Sequence, residues 1–275
     1  MQADHSRPET TIVIPVWDDY VSERLERALH SVRAQSTPPP SIVVVDNAST
    51  VPLPPLPGAW VLRAPMRLTL GAARNLGLTR VDTPYVVFWN ADDVMLEGAL
   101  PFLEAAISAD PGLVAFGTAV IEDPSGRRHR WPRRWIRGLV RWPRRFAFLH
   151  SIWSLYPSTG STIIRTEFAR AAGGYPDADS GEDWCLGVSL AFRGRVGWSE
   201  RPGRLYRVHH GSTWAQHVPS NLIRHARVVR ERIRTDPGIP EWARRALPLL
   251  WLGQRAAIAA HLTLSRVREV RSRNP

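Results

Sequence analysis

The stretch of sequence that decides the fold is YVVFWNADDVMLEGAL, residues 85–100. Val86 to Trp89 form a run of bulky apolar residues, typical of a β-strand that is buried on both faces. Asn90, Asp92 and Asp93 follow at once. Neighbouring carboxylates repel each other at the mouth of a buried strand, so their presence here calls for a chemical reason.

The segments before this strand alternate between strand and helix patterns. TTIVIPV (residues 10–16) and SIVVVDNAS (residues 41–49) are typical of buried strands. Between them, residues 21–34 place apolar side chains on one helical face, and residues 70–81, LGAARNLGLTRV, form a pattern typical of a helix rich in small residues. This alternation predicts an α/β fold with a parallel sheet and crossover helices.

Polar side chains follow three of the predicted strands. Pro15–Asp19, Asp46–Ser49 and Asn90–Asp93 all lie at carboxyl ends, where open parallel sheets bind ligands. A single acid in such a place is usually a helix cap or a turn residue. Three together favour a binding site along one edge of the sheet.

Composition indicates a folded protein with an affinity for anions. The chain has 275 residues, of which 44% are hydrophobic and 22% charged, and this balance excludes a disordered chain. Its net charge is +11 and every basic residue is Arg, so phosphorylated substrates, acidic lipid headgroups and nucleic acid are all candidate partners.

Three further features limit the class of protein. The single cysteine, Cys185, excludes an internal disulfide and a cysteine-cluster metal site. The N-terminal residues MQADHSRPET lack a signal-peptide core, and no run of 18 apolar residues occurs. We therefore expect a cytoplasmic protein without a membrane-spanning helix.

Seven motifs in order resemble glycosyltransferase family 2: TIVIPVWDD, SVRAQ, VVVDNAS, GAARNLG, NADD, GGYPDADSGEDW and YRVHHGS. The resemblance runs from residue 11 to about residue 215. It implies an α/β fold of GT-A type, with a Rossmann-like, mostly parallel central sheet flanked by helices and a C-terminal helical extension. The implied parts are a nucleotide-sugar-binding half (11–125), a basic Arg/Trp insert (126–150), an acceptor-binding and catalytic half (151–218) and C-terminal helices (219–275).

The resemblance also implies a divalent cation, Mn²⁺ or Mg²⁺, that neutralises the departing diphosphate. Its ligands would be Asp92, the last acid of the family's D-x-D motif, and His209 in YRVHHGS. Asn90 stands where the family usually has Asp; it can hydrogen-bond a ribose hydroxyl but contributes no charge to the metal. Asp93 either assists the metal through water or caps a helix beginning near Val94, and capping is favoured.

The nucleotide site follows from the same resemblance. Pro15 ends the first strand, and Trp17 would stack on the base, the alternative being a core tryptophan. Asp46 would accept the imide N–H of the base, which favours a UDP- or dTDP-sugar. Arg74 and Asn75 in GAARNLG would contact the nucleotide or diphosphate, although Arg74 also fits an ordinary solvated arginine.

GEDW resembles the family's catalytic E-D motif. Asp183 would be the general base, and Glu182 would support it or bind the acceptor. The acceptor oxygen would then attack C1 opposite the diphosphate, and a single displacement inverts the configuration. The alternative is an acidic pair that stabilises a helix N-terminus.

The sequence leaves two classes of acceptor open. Residues 127–146 contain nine Arg and three Trp, a mixture suited to an anionic membrane surface. This favours a saccharide or lipid-linked acceptor in cell-envelope polysaccharide biosynthesis, with the enzyme peripheral at the inner face of the membrane. The rival is nucleic acid, for a transferase acting on a hydroxylated DNA base. A non-catalytic sugar-nucleotide-binding protein is the third alternative, because Asn90 lacks the family's charge.

Overall fold

The chain forms a seven-stranded mixed sheet and a separate four-stranded sheet, joined by ten α-helices in the part of the chain that is described. The computed structural model describes residues 8–117, 119–122, 128–131, 134–156, 159–160, 162–207 and 219–273. The strands are β1 (Thr10–Val16), β2 (Ser41–Asp46), β3 (Ala59–Arg63), β4 (Tyr85–Phe88), β5 (Val94–Met95), β6 (Leu113–Gly117), β7 (Ala119–Glu122), β8 (Arg128–Trp131), β9 (Thr162–Arg165), β10 (Arg195–Trp198) and β11 (Arg204–Arg207). The helices are α1 (Glu23–Arg33), α2 (Leu70–Leu78), α3 (Ala99–Ser108), α4 (Arg134–Leu139), α5 (Pro143–Ile152), α6 (Thr166–Ala171), α7 (Glu182–Arg193), α8 (Pro219–Thr235), α9 (Glu241–Arg245) and α10 (Leu247–Arg273).

The large sheet confirms the predicted α/β class. Its strand order is β10-β6-β9-β4-β1-β2-β3, and every neighbouring pair is parallel except the two that involve β9. Within it, β1 pairs with β2 so that Val16 lies opposite Asp46, and with β4 so that Val13 lies opposite Phe88. The carboxyl ends of β1, β2 and β4 therefore lie at the same edge.

Strands β1, β2 and β4 are buried on both faces, as their continuous apolar runs predict. Val13 and Phe88 pack into a core with α2, α5 and α7, whereas Ile14 and Val87 pack into a second core with α1 and α3. Alternate residues of a strand face opposite sides of a sheet, so β1, β2 and β4 each contribute to both cores. The close approach of α2 depends on Gly77, where an added Cβ would lie 2.3 Å from a methyl of Val13.

The segment after Asp93 differs from the sequence-based expectation. Val94 and Met95 form β5, which pairs with β11, and α3 begins only at Ala99 after Gly98 in a left-handed conformation. The prediction that a helix begins near Val94 is wrong. The reason is tertiary, because β11, a strand about 110 residues later, supplies partners to the backbone of β5.

The later part of the chain folds against this framework. In the Arg/Trp insert, α5 contributes Phe146 and Ala147 to the main core. The C-terminal helices α8, α9 and α10 form a third core with α7, built around buried side chains such as Val229 and Leu250. No helix in the described ranges is both long enough and apolar enough to cross a membrane. The boundaries expected between the functional parts remain predictions.

Candidate active site

The site lies at the sheet edge where β1, β2 and β4 end. Asp46 ends β2, and Asn90 and Asp92 follow β4, with β1 between the two strands. Adjacent strands are about 4.8 Å apart, so Asp46 and Asn90 are separated by roughly 10 Å along this edge. Pro15 is buried in β1 opposite Val45, so it shapes the floor between them. The predicted clustering of polar strand ends is thus present.

On the β2 side, Asp46 is buried and already engaged. One carboxylate oxygen accepts a hydrogen bond from the backbone N–H of Ser49 at 2.9 Å, and the other forms an ion pair with Arg63 at the end of β3. The Arg63 side chain is 60% exposed, so it reaches from the edge into solvent while it holds Asp46.

Trp17 is half-buried at the same end of the site. The guanidinium of Arg67 lies over its ring, 4.3 Å from the centroid, and Tyr20 contacts its edge. Trp17 is therefore not a core residue, which removes the alternative that the sequence left open. Arg63 and Arg67 were missed by the sequence analysis, although their positions at and after the end of a predicted strand were a usable signal.

A buried ion pair joins the two halves of the chain beneath this edge. Arg74 on α2 is 2% exposed, and it donates a hydrogen bond to Glu182 at 2.6 Å and another to Asn90 at 3.0 Å. Burial opposes the charge on Arg74, but Tyr175, Glu182 and Asp183 around it raise its pKa. This burial excludes the alternative that Arg74 is an ordinary solvated arginine.

The same network continues through Asn90 to Arg204. The Asn90 amide donates to Asp93 at 2.9 Å, and Asp93 is paired with Arg204 of β11 at 3.0 Å. Asp93 is 1% exposed, and burial together with the nearby Asp92 raises its pKa to about 6 against the pull of Arg204. Asp93 therefore joins the two sheets and does not cap a helix, contrary to the favoured interpretation of the sequence.

Asp92 is the acid of this loop that is not fully buried. Beside it, the second carboxylate oxygen of Asp93 is buried and has no hydrogen-bond partner. Within the described residues, no three His, Cys, Asp or Glu side chains are grouped closely enough to hold a metal by themselves. Mg²⁺ commonly takes one or two protein carboxylates with substrate phosphates and water, so Asp92 fits a cation held largely by a diphosphate. His209, the other predicted ligand, lies outside the described residues.

The two acids of GEDW lie in different environments at the start of α7. Glu182 is 5% exposed, and its burial and the adjacent Asp183 raise its pKa although Arg74 opposes this. Asp183 is half-buried, and one of its oxygens accepts the backbone N–H of Trp184 at 2.7 Å. Gly181 before them has φ 77°, a conformation that turns the chain into the helix. Of the pair, Asp183 is the one that solvent and ligands can reach.

The loop before α7 is held by α2. The Asn75 side chain donates to the carbonyl of Tyr175 and accepts from its N–H, both at 2.9 Å. Gly174, at φ 65°, makes room for this contact, because an added Cβ would lie 2.2 Å from the Asn75 amide oxygen. Asn75 was predicted to contact the nucleotide; the described contacts instead join α2 to this loop, and a nucleotide contact remains a prediction.

The N-terminus of α2 contacts the same loop. Gly71 donates its N–H to the carbonyl of Ala178 at 3.0 Å, and Thr69 donates to Asp177 at 2.5 Å. Together these bonds bring GAARNLG and GGYPDADSGEDW, which are about 100 residues apart in sequence, into one site.

Comparisons with known proteins agree with this geometry. The model of the family described as glycosyl transferase family 2 matches residues 11–168. The fold resembles S. aureus TarS 1–349 in complex with UDP-GlcNAc (TM-score 0.62, 16% identity, 87% of this chain and 70% of that chain). It also resembles the same fragment in complex with UDP (TM-score 0.60, 15% identity, 87% and 69%). No curated protein sequence matches the chain significantly.

The family match covers more than half of the chain and includes the polar ends of β1, β2 and β4. The structural likeness covers 87% of the chain and shows the same GT-A-type fold. The chain therefore belongs to glycosyl transferase family 2 and is a glycosyltransferase.

Proposed function

We propose that this glycosyltransferase moves a sugar from a UDP- or dTDP-linked donor to a hydroxyl of a glycan or lipid-linked acceptor, with inversion and with a divalent cation. One observation carries the proposal. Arg74 is bonded to Asn90 at the donor edge and to Glu182, the neighbour of Asp183, so one buried arginine joins the donor side to the candidate base.

The donor's nucleotide would lie along the edge from β2 to β4. Asp46 would accept the imide N–H of uracil or thymine, and Trp17 would stack on the base. The exposed guanidinium groups of Arg63 and Arg67, which contact these two residues, would then lie beside the phosphates. The structures of TarS in complex with UDP-GlcNAc and with UDP support a uridine donor.

The chemical step assigned to this site is a single displacement. An acceptor hydroxyl forms a bond to C1 of the donor sugar while the bond from C1 to the diphosphate oxygen breaks. Asp183 takes the hydroxyl proton, and Glu182, held by Arg74, fixes the start of α7. The Asp183 carboxylate accepts the backbone N–H of Trp184, whereas the Glu182 carboxylate is paired with Arg74.

Asp92 would hold the cation, with His209 as the second ligand predicted from sequence. When bound, the cation supplies positive charge that stabilises the leaving diphosphate. Asn90 would contribute a hydrogen bond and no charge to this arrangement.

The test is a thermal-shift screen of UDP-, dTDP- and GDP-sugars with and without Mn²⁺, on the wild type and on Asp92→Ala. We expect a UDP- or dTDP-sugar to raise the Tm more with Mn²⁺ than without, because the cation and the diphosphate bind together. Without ligand, Asp92→Ala should have the same Tm as the wild type. With the nucleotide sugar, it should lose the additional rise in Tm that Mn²⁺ causes. Equal increments in the two proteins would reject Asp92 as the ligand.

Product analysis then separates the alternatives. Transfer to a saccharide or lipid-linked hydroxyl supports the proposal. Transfer to a hydroxylated DNA base would show that the acceptor is DNA instead. Donor binding without hydrolysis or transfer on any of these acceptors would favour the non-catalytic interpretation.

A further inference from the structure

A groove on the surface combines an apolar floor with cationic side chains. It lies between α5 and α9, has a volume of about 500 Å³, and is lined by Arg144, Arg145, Phe148, Leu149 and Trp242. We call these five residues the α5–α9 face. Leu149 and Trp242 are 39% and 40% exposed, so their apolar surface remains in contact with water.

The arginines of this face are not neutralised by acids. Among the residues that the structure describes, Arg144 and Arg145 form no ion pair; Arg145 instead lies 5.1 Å from the ring centroid of Trp142. The nearest acid of α9, Glu241, is bonded to Arg244 and Arg245 at 3.3 Å each. In contrast, the buried side chains of Arg74, Arg193 and Arg204 are each paired with a carboxylate. The α5–α9 face is therefore a site of uncompensated positive charge.

Exposed apolar side chains extend beyond the groove. Trp142, at the start of α5, is 59% exposed. On α10, which packs against both α5 and α9, Leu249, Trp251 and Leu252 are 64%, 42% and 55% exposed. Large exposed Trp and Leu side chains next to unpaired Arg are the composition of a surface that enters the headgroup region of a bilayer.

We propose that the α5–α9 face, together with Trp142, binds the surface of an anionic phospholipid bilayer. Arg144 and Arg145 pair with lipid phosphates, and the groove between α5 and α9 accepts the acyl region. Nucleic acid fits less well, because an apolar floor gains nothing from a sugar–phosphate backbone. A second copy of the chain fits less well also, because a two-fold contact would bring the same arginines face to face.

The position of α5 gives this surface a connection to the active site. The other end of α5 contacts α7, where the carbonyl of His150 accepts the indole N–H of Trp184 at 2.5 Å. Trp184 follows Asp183, so the helix that would rest on the bilayer also contacts the helix that carries the candidate base.

The test is co-sedimentation with vesicles of an equimolar phosphatidylcholine and phosphatidylglycerol mixture, and with phosphatidylcholine alone. The full chain should bind the mixture, bind phosphatidylcholine alone much less, and be released by salt. Arg144→Gln/Arg145→Gln should weaken partition by about 30-fold, because each arginine near an anionic surface contributes about 1 kcal/mol. The matched control, Arg24→Gln/Arg27→Gln on α1, removes the same charge from exposed positions and should keep wild-type binding.

A second measurement checks the apolar part. Brominated lipids should quench tryptophan fluorescence in the wild type, and Trp142→Phe should reduce that quenching. Equal vesicle binding by the two arginine-pair variants would overturn the proposal. So would binding to duplex DNA without binding to vesicles, or a dimer that dissociates when Arg144 and Arg145 are replaced.

Discussion

At the scale of single residues, the side chain of Asn90 lies between a cation and an anion. Its carbonyl oxygen accepts a hydrogen bond from Arg74, and its amide nitrogen donates one to Asp93. A carboxylate at this position accepts from Arg74 equally well but has no proton to give Asp93. This explains in physical terms why the chain tolerates Asn where the family usually has Asp: the amide joins two buried ion pairs into one network.

We predict that Asn90→Asp lowers the free energy of unfolding by roughly 1–3 kcal/mol, because it replaces a partly buried hydrogen bond with a contact between two carboxylates. Urea unfolding at neutral pH measures the change. The double variant Asn90→Asp/Asp93→Asn exchanges amide and carboxylate, so it should recover part of the loss. An Asn90→Asp protein as stable as the wild type would show that the network does not depend on the amide.

Asp183 and Glu182 differ in exposure although they are neighbours, and this difference makes a prediction about catalysis. Asp183→Asn should lower kcat by roughly 10²–10⁴-fold, the usual contribution of a general base, and leave donor affinity nearly unchanged. Steady-state kinetics and calorimetric titration of the donor measure the two quantities separately. A parallel loss of donor affinity would assign Asp183 to donor binding instead of proton transfer.

At the scale of elements, the N-terminus of α2 is bonded to the loop that precedes α7. Its first turn donates backbone hydrogen bonds to the loop before α7, and Gly71 lies so close that an added Cβ would be 1.9 Å from the carbonyl oxygen of Pro176. The small residues of GAARNLG thus serve two contacts: Gly77 against β1 and Gly71 against the loop. A larger residue at Gly71 must move the loop backbone, and one at Gly77 must move the side chain of Val13.

Gly71→Ala should therefore destabilise the protein by about 1–3 kcal/mol and reduce transfer activity, because the loop that leads to Asp183 must shift. Gly138→Ala is the matched control. It makes the same change on α4 with nothing within 4 Å of the new Cβ, so the protein should be unchanged or slightly more stable. Thermal unfolding and a transfer assay on both variants test this; equal effects would refute the steric argument.

At the scale of the whole molecule, the C-terminal helices are attached to α7 by a buried ion pair. Arg193 of α7 donates two hydrogen bonds to Asp236, at 2.7 and 2.5 Å, and Ser189 donates a third at 2.8 Å. These bonds outweigh burial and lower the pKa of Asp236. The surface proposed for the bilayer is therefore held in a defined orientation to α7.

Asp236→Ala should cost about 3–5 kcal/mol, because it leaves Arg193 buried without its partner. The pKa of Asp236 is lower in the folded chain than its ordinary value of 3.8, so its stabilisation is present above that pH and is lost as the pH falls. The difference in the free energy of unfolding between the wild type and Asp236→Ala, measured with urea, should therefore become smaller in acid.

Glu241→Ala is the control for this prediction, because its pairs with Arg244 and Arg245 are exposed and contribute less than about 1 kcal/mol. Equal losses from Asp236→Ala and Glu241→Ala would contradict the role given to the buried pair.

The sequence by itself determined the elements that have a strong local pattern. The strands from Thr10, Ser41 and Tyr85, the helix with Leu25 and Leu29 on its buried face, and the polar strand ends all follow from the spacing of apolar residues and from the directions of parallel strands. The resemblance in seven motifs added the family, which the family match confirms. These features depend on residues close together in the chain, so a linear pattern is enough to predict them.

Only the tertiary structure decided which charges meet. Arg74 and Glu182 are 108 residues apart, and Asp93 and Arg204 are 111 apart, so no local pattern pairs them. The same holds for β5, whose two residues become a strand only because β11 lies beside them. A buried charge needs a partner, and that partner can come from any segment that the fold brings next to it. Unlike apolar periodicity, this requirement produces no local pattern in the sequence.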